Sequence, residues 1–253
     1  MDMDVLEESI QVLRQFKEFS LFREMGGILQ KLEDKVFRES SRKMPIIYME
    51  KNEHLKGIEH LDALYQAINK QIVLKIEYQS FKSDRRIIYT VHPYILKEFN
   101  NRWFLVGRRE KDSLIMTLAL DRIEGIDYDL KLDYCLVSFD AEDYYRNTYG
   151  VTVKPLEQAE EVELLIDHIN APYVETKPFH ISQKIKERHD DGSITIMLKL
   201  HNNYEFERLI LGFGPGIEVL QPTRLKRRIK QLLRRALENY SKEDYPDKNK
   251  DKQ

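Results

Sequence analysis

The sequence predicts an α+β protein with amino-terminal helices, a small antiparallel β-barrel and a carboxy-terminal module that mixes helices with strands. Three observations carry this. Apolar residues recur at spacings of three and four in the opening third of the 253-residue chain. From Ile72 the period drops to two, in short segments rich in Ile, Val, Tyr and Phe. Past the middle of the chain, strand-like and helix-like segments alternate and end in a long amphipathic helix. A hydrophobic fraction of 42% is enough for two separate cores.

The helices come first. Leu6, Ile10 and Leu13 form one stripe, and Met25, Ile28, Leu29, Leu32 and Val36 form a second, entered through Gly26-Gly27. Leu55, Ile58, Leu61, Leu64 and Ile68 make a third. Helices this sparse cannot close a core alone, so residues 1–65 read as a connector that packs on a neighbour, and a homodimer is the economical expectation.

Residues 66–139 form the barrel. Its strands are predicted at 72–79, 86–92, 94–99, 102–109, 114–119 and 126–132, with Asn100-Asn101 as a tight hairpin and Pro93 and Gly125 as breaks. Short antiparallel strands with no helix between them point to an Sm/SH3-like barrel, because closure hides sheet edges. Residues 140–160, acidic and rich in tyrosine, read as a linker.

In residues 161–241 the predicted order is strand, helix, strand, strand, helix, strand and a long last helix, a ferredoxin-like α+β arrangement. Asp190-Asp191-Gly192 turns the inner hairpin, and Pro222 launches the last helix. Gly212, Gly214 and Gly216 lie between a helix and a strand, the reverse of a phosphate loop, and read as a turn. Residues 242–253 are a charged tail.

Several function classes lose support at this level. Lys and Arg number 41 against 43 Asp and Glu, so any anion site must come from local clustering. Cys135, the single cysteine, cannot pair within the chain, and no apolar run reaches the ~20 residues that cross a bilayer. The acidic start is the reverse of a signal peptide, which makes the expected location cytoplasmic, with no membrane partner. Seven histidines are scattered without ligand spacing, and Asp140, Glu142 and Asp143 lack an apolar pocket to separate their pKa values. Neither metal, cofactor nor catalytic residue is expected, and the chain does not read as an enzyme.

The stretch Arg102-Trp103-Phe104-Leu105-Val106-Gly107, with His92-Pro93-Tyr94 ahead of it and Leu120-Asp121-Arg122-Ile123 behind it, resembles the WYL domain of bacterial transcriptional regulators; Phe104 stands in the place of the tyrosine. The module beyond residue 161 is similar to the WCX extension that follows WYL domains. This resemblance implies an Sm-like barrel, a regulatory role, homodimerisation and a surface for a nucleotide or single-stranded nucleic acid effector. DNA would be reached through a helix-turn-helix that is not visible in this chain. The family's arginine four residues before the proline is Tyr89 here, and its basic positions entering the Leu-Asp-Arg-Ile run are Met116 and Ala119.

The candidate ligand-binding residues are Tyr78, Arg85, Arg86, Tyr94, Arg102, Trp103, Arg108 and Arg122. Arginines fork onto phosphate with charge-assisted hydrogen bonds, and aromatic rings stack bases. Strand alternation places Arg102 and Arg108 on one face and Arg109 on the other. Each group also has a plainer role: Trp103 as packing, Arg122 as a partner of Asp121 or Glu124. On the last helix Arg227, Lys230 and Arg234 are candidate nucleic-acid contacts, or its solvated face. A dimerisation scaffold that binds nothing and a direct single-strand binder are the rival readings.

Overall fold

The computed structural model describes residues 55–136, 138–155 and 157–241. The first two predicted helices and the tail lie outside the described residues. Two compact units divide between Phe139 and Asp140.

The first unit begins with a 3₁₀ turn, Ile58–His60, that runs into α1, Leu61–Asn69. Leu61, Leu64 and Ala67 fall on one face of α1 and are buried among Leu74, Ile76, Val91, Leu105 and Leu118. Those partners come from one antiparallel sheet of β1 (Val73–Gln79), β2 (Arg86–Phe99), β3 (Arg102–Arg109), β4 (Ile115–Ala119) and β5 (Ile123–Asp129), in the order β4-β3-β2-β1-β5. Asn100 and Asn101, both at positive φ (50° and 59°), make the tight β2–β3 turn.

Two breaks read from the sequence are absorbed by the sheet. Pro93 does not end a strand: β2 runs through it, and the ladder to β3 shifts register between Pro93 and Ile95. The expected His92-Pro93-Tyr94 turn is therefore a bulge within one strand. Gly125 sits inside β5 opposite Glu77, beside a second shift at Glu77/Tyr78, so β5 starts three residues before the expected 126.

The expected closed barrel is not formed. β4 and β5 are the two edges, and no ladder joins them. The 3₁₀ turn Leu120–Arg122 carries the chain from one edge strand to the other, a reach of at most roughly 14 Å. The apolar inner face that closure would cover is filled by α1 instead.

In the second unit Asp140 caps a one-turn helix, α2 (Ala141–Tyr145), its carboxylate accepting the Glu142 and Asp143 amides at 2.8 and 3.0 Å. Then come β6 (Glu160–Ile166), α3 (Ala171–Thr176), β7 (Lys184–Arg188), β8 (Ile194–Leu200), α4 (Tyr204–Gly212), β9 (Ile217–Gln221) and α5 (Thr223–Tyr240). The sheet order is β7-β8-β6-β9, again antiparallel. Inward residues of β6 and β8 meet Phe206 and Ile210 of α4 and Leu225 and Ile229 of α5. β7 is an exposed edge guarded by Lys184, Lys186, Glu187 and Arg188.

The stretch read as a linker is fastened to this unit. Asn203 donates to the carbonyls of Tyr149 and Thr152 at 2.8 and 3.0 Å while its oxygen accepts the Phe206 amide and caps α4. Tyr149 packs on the core. Among the described residues, no helix is long and apolar enough to cross a membrane.

Candidate ligand-binding surface

The turn between the sheet edges gathers the chemistry. Leu120 is buried and anchors it, while Gly57 presses on it from outside: a Cβ there would stand 2.3 Å from the Leu120 carbonyl carbon and 2.6 Å from the Asp121 nitrogen. With φ +89°, that position accepts only glycine without strain. His60 Nε2 reaches the Ile123 carbonyl at 3.0 Å and ties the turn's far side to the same segment.

Asp121 then organises two arginines. Arg122 Nε lies 3.5 Å from Asp121 Oδ1, and Arg102 Nη1 lies 3.5 Å from Oδ2. Arg122 also stands over the Phe81 ring, 4.7 Å from its centre, and against the Tyr78 phenol. Burial pushes the Tyr78 pKa up, with the Arg122 charge and hydrogen bond opposing that rise. Tyr89 packs on Tyr78 with ring centres 6.0 Å apart. The result is two guanidinium groups around one carboxylate, beside an aromatic ring that is 71% exposed. Asp121 Oδ1 and Arg122 Nε are buried atoms without a hydrogen bond.

Of the predicted residues, the structure thus brings together Tyr78, Arg102 and Arg122. Trp103, next to Arg102, is half-buried and packs against the core. Arg86 lies on the outer face of the sheet with Glu77 at 3.2 Å and Glu124 at 4.0 Å. Arg85 is exposed on the β1–β2 loop, its amide donating to Ser83 Oγ. Arg108 stands at the other end of β3 from Arg102, about 20 Å along the strand, so sharing a face does not make them neighbours. It pairs with Glu110 at 3.3 Å and donates to Ser113 Oγ at 2.6 Å.

Tyr94 belongs to a different construction, one that the sequence did not reveal. It is buried, and its hydroxyl donates to the Cys135 carbonyl at 3.0 Å. The Cys135 amide donates to His92 Nδ1 at 3.0 Å, which leaves the proton on Nε2 to be donated to Glu110 at 2.6 Å. Tyr134 donates to the Pro93 carbonyl at 2.6 Å, and burial lifts its pKa to about 12. Residues 134 and 135 are thereby strapped across the β2 bulge. Glu110 is held below the ordinary carboxylate range chiefly by the His92 hydrogen bond.

Phe81 and the central place of Asp121 were also missed. The available signal for Phe81 was a lone aromatic in an otherwise polar loop, Ser80 to Arg85. Arg227, Lys230 and Arg234 are exposed along α5 of the second unit, where only Arg227 lines a cleft. Among the described residues, no three His, Cys, Asp or Glu side chains are placed to hold a metal ion.

Two family models divide the chain as its two compact units do. The WYL domain family matches residues 59–128, which begin in the 3₁₀ turn before α1 and run nearly to the end of β5. The WCX domain family matches residues 158–237, from β6 into α5. A search of curated proteins found no match. Among solved structures, proteasome accessory factor B/C (PafBC) of Arthrobacter aurescens is similar at 16% identity and TM-score 0.32, over 84% of this chain and 32% of that one. A CRISPR Cas-related protein is similar at 11% identity and TM-score 0.45, over 74% of this chain and 52% of that one. The chain therefore spans about a third and about half of these two proteins. With a WYL domain in the first unit and a WCX domain in the second, together over more than half of its length, the chain belongs to the WYL-domain family.

Proposed function

We propose that the chain is the sensing portion of a transcriptional regulator, and that its WYL unit captures a phosphate-bearing effector, a nucleotide or a single-stranded nucleic acid, at Arg122, Arg102, Tyr78 and Phe81. The observation that carries this reading is the arrangement around Asp121. Two guanidinium groups share one carboxylate at 3.5 Å, distances too long for strong hydrogen bonds, and leave one positive charge unbalanced. A phosphate can take bidentate donation there, with Phe81 available to stack a base. The sheet orders support an Sm-like WYL unit and a ferredoxin-like WCX unit. The protein acts by binding, without catalysis, as a cytoplasmic homodimer whose DNA contact is made by a helix-turn-helix that this sequence does not show.

The test is titration of a nucleotide panel and of short oligonucleotides against the wild type, Arg122→Ala and Arg102→Ala at two salt concentrations. Losing one charge-assisted contact lowers affinity by roughly tenfold or more. Retained affinity in both variants moves the site elsewhere. One set of observations favours a second reading, the dimerisation scaffold: Arg86, Arg102, Arg108 and Arg109 each already face a carboxylate. Absence of binding by every probe selects it. A steep fall in oligonucleotide affinity with salt and a dependence on oligonucleotide length select the direct strand binder.

A further inference from the structure

The WCX unit holds a second cationic cleft, independent of the WYL surface. It measures about 460 Å³ and is lined by Lys154, Asn202, Glu207, Arg224, Arg227, Arg228 and Gln231. Residues 224, 227, 228 and 231 fall at helical spacings of three, four and seven, so the first turns of α5 present one continuous face to the cleft. Four cations line it against the single carboxylate of Glu207. That carboxylate takes Arg228 Nε at 3.2 Å, which leaves the other guanidinium donors of Arg228 for a ligand. Lys154 reaches Glu157 at 3.0 Å. Among the described residues, Arg224 and Arg227 have no carboxylate partner.

The placement of these charges is the unusual point. The amino end of a helix is its positive pole and favours acidic side chains. The first turn of α5 has none, Pro222 offers no side-chain cap, and Arg224, Arg227 and Arg228 crowd the same end. Stability alone would select the opposite signs, and such local conflicts mark sites kept for a ligand. Asn202 lines the same cleft, and its amide oxygen is buried without a hydrogen bond.

We infer that this cleft is a polyphosphate-binding site, taking two or three linked phosphates of a small molecule. Its volume exceeds what one phosphate fills, and several forked donors suit a chain of them. Its lining has no aromatic or apolar side chain to stack a base, so the phosphates are what it recognises.

Calorimetric titration of inorganic tripolyphosphate into the full chain tests this. The wild type binds, Arg227→Gln and Arg224→Gln each weaken binding roughly tenfold or more, and Arg235→Gln, the same charge removed further along α5, leaves it within about twofold. Both lost arginines are exposed, so unchanged melting without ligand confirms that the variants fold. Four outcomes overturn the inference: no binding by the wild type, equal weakening by Arg227→Gln and Arg235→Gln, orthophosphate binding as tightly as tripolyphosphate, or Arg227-dependent binding of oligothymidylate without binding of tripolyphosphate. Titration of Arg122→Ala separates the two sites and adds a fifth: tripolyphosphate binding that is lost in Arg122→Ala but kept in Arg227→Gln and Arg224→Gln belongs to the WYL surface and overturns this inference alone, leaving the WYL reading standing.

Discussion

At the scale of single residues, burial and partner choice decide what each polar group is for. Glu110 shows this in a way that pH can read. His92 donates to it, and that hydrogen bond, ahead of the Arg108 charge, holds its pKa below the ordinary value near 4.3. A carboxylate depressed in the folded state contributes stability above its unfolded pKa, and the contribution disappears as pH falls through the folded pKa. Glu110→Gln is therefore less stable than the wild type at neutral pH, and the gap closes below about pH 4. Denaturant unfolding from pH 7 to 3 measures it; a constant gap across that range contradicts the assignment. Asp112 and Asp129 titrate in the same direction through Arg109 and Lys75, so the acid limb of the wild type reports several groups and the variant removes one.

At the scale of elements, α1 stands in for the missing seam of the barrel. Leu64 is wholly buried between the helix and the sheet, so Leu64→Ala costs about 2 to 5 kcal/mol of WYL-unit stability; thermal unfolding checks it, and a cost under about 1 kcal/mol would show that the helix is not structural. Most elements were legible in the sequence because their signals are local. β3 and the Asn100-Asn101 turn follow from alternation and from two residues that tolerate positive φ. The continuity of β2 was not legible, since proline reads as a break and only a neighbouring strand shows it to be a bulge. Closure was misjudged for a related reason: whether two edges pair depends on what else covers the inner face, and no strand carries that information. The candidate site was half legible. Arg102 and Arg122 were among the candidate ligand-binding residues and Asp121 a possible partner of Arg122, but the convergence of both arginines on Asp121 needs the β4–β5 turn to meet the start of β3.

At the scale of the whole molecule, the two hydrophobic clusters share no residue. Each unit has its own core, as a domain does. Phe206, wholly buried in the second, is the complement of Leu64 in the first. Phe206→Ala lowers WCX-unit stability by about 3 to 5 kcal/mol, and in scanning calorimetry it moves one transition while Leu64→Ala moves the other. A single transition shifted equally by both substitutions would mean that the units unfold as one.

Gly57 gives the turn at Asp121 a consequence beyond binding. The backbone that leads back toward the amino terminus rests there without a side chain's width of clearance, on the peptide that positions Arg122. The two backbones are locked together: the peptide cannot move toward Gly57 unless residue 57 moves with it, and Gly57→Ala would push the Leu120–Asp121 backbone away from its place.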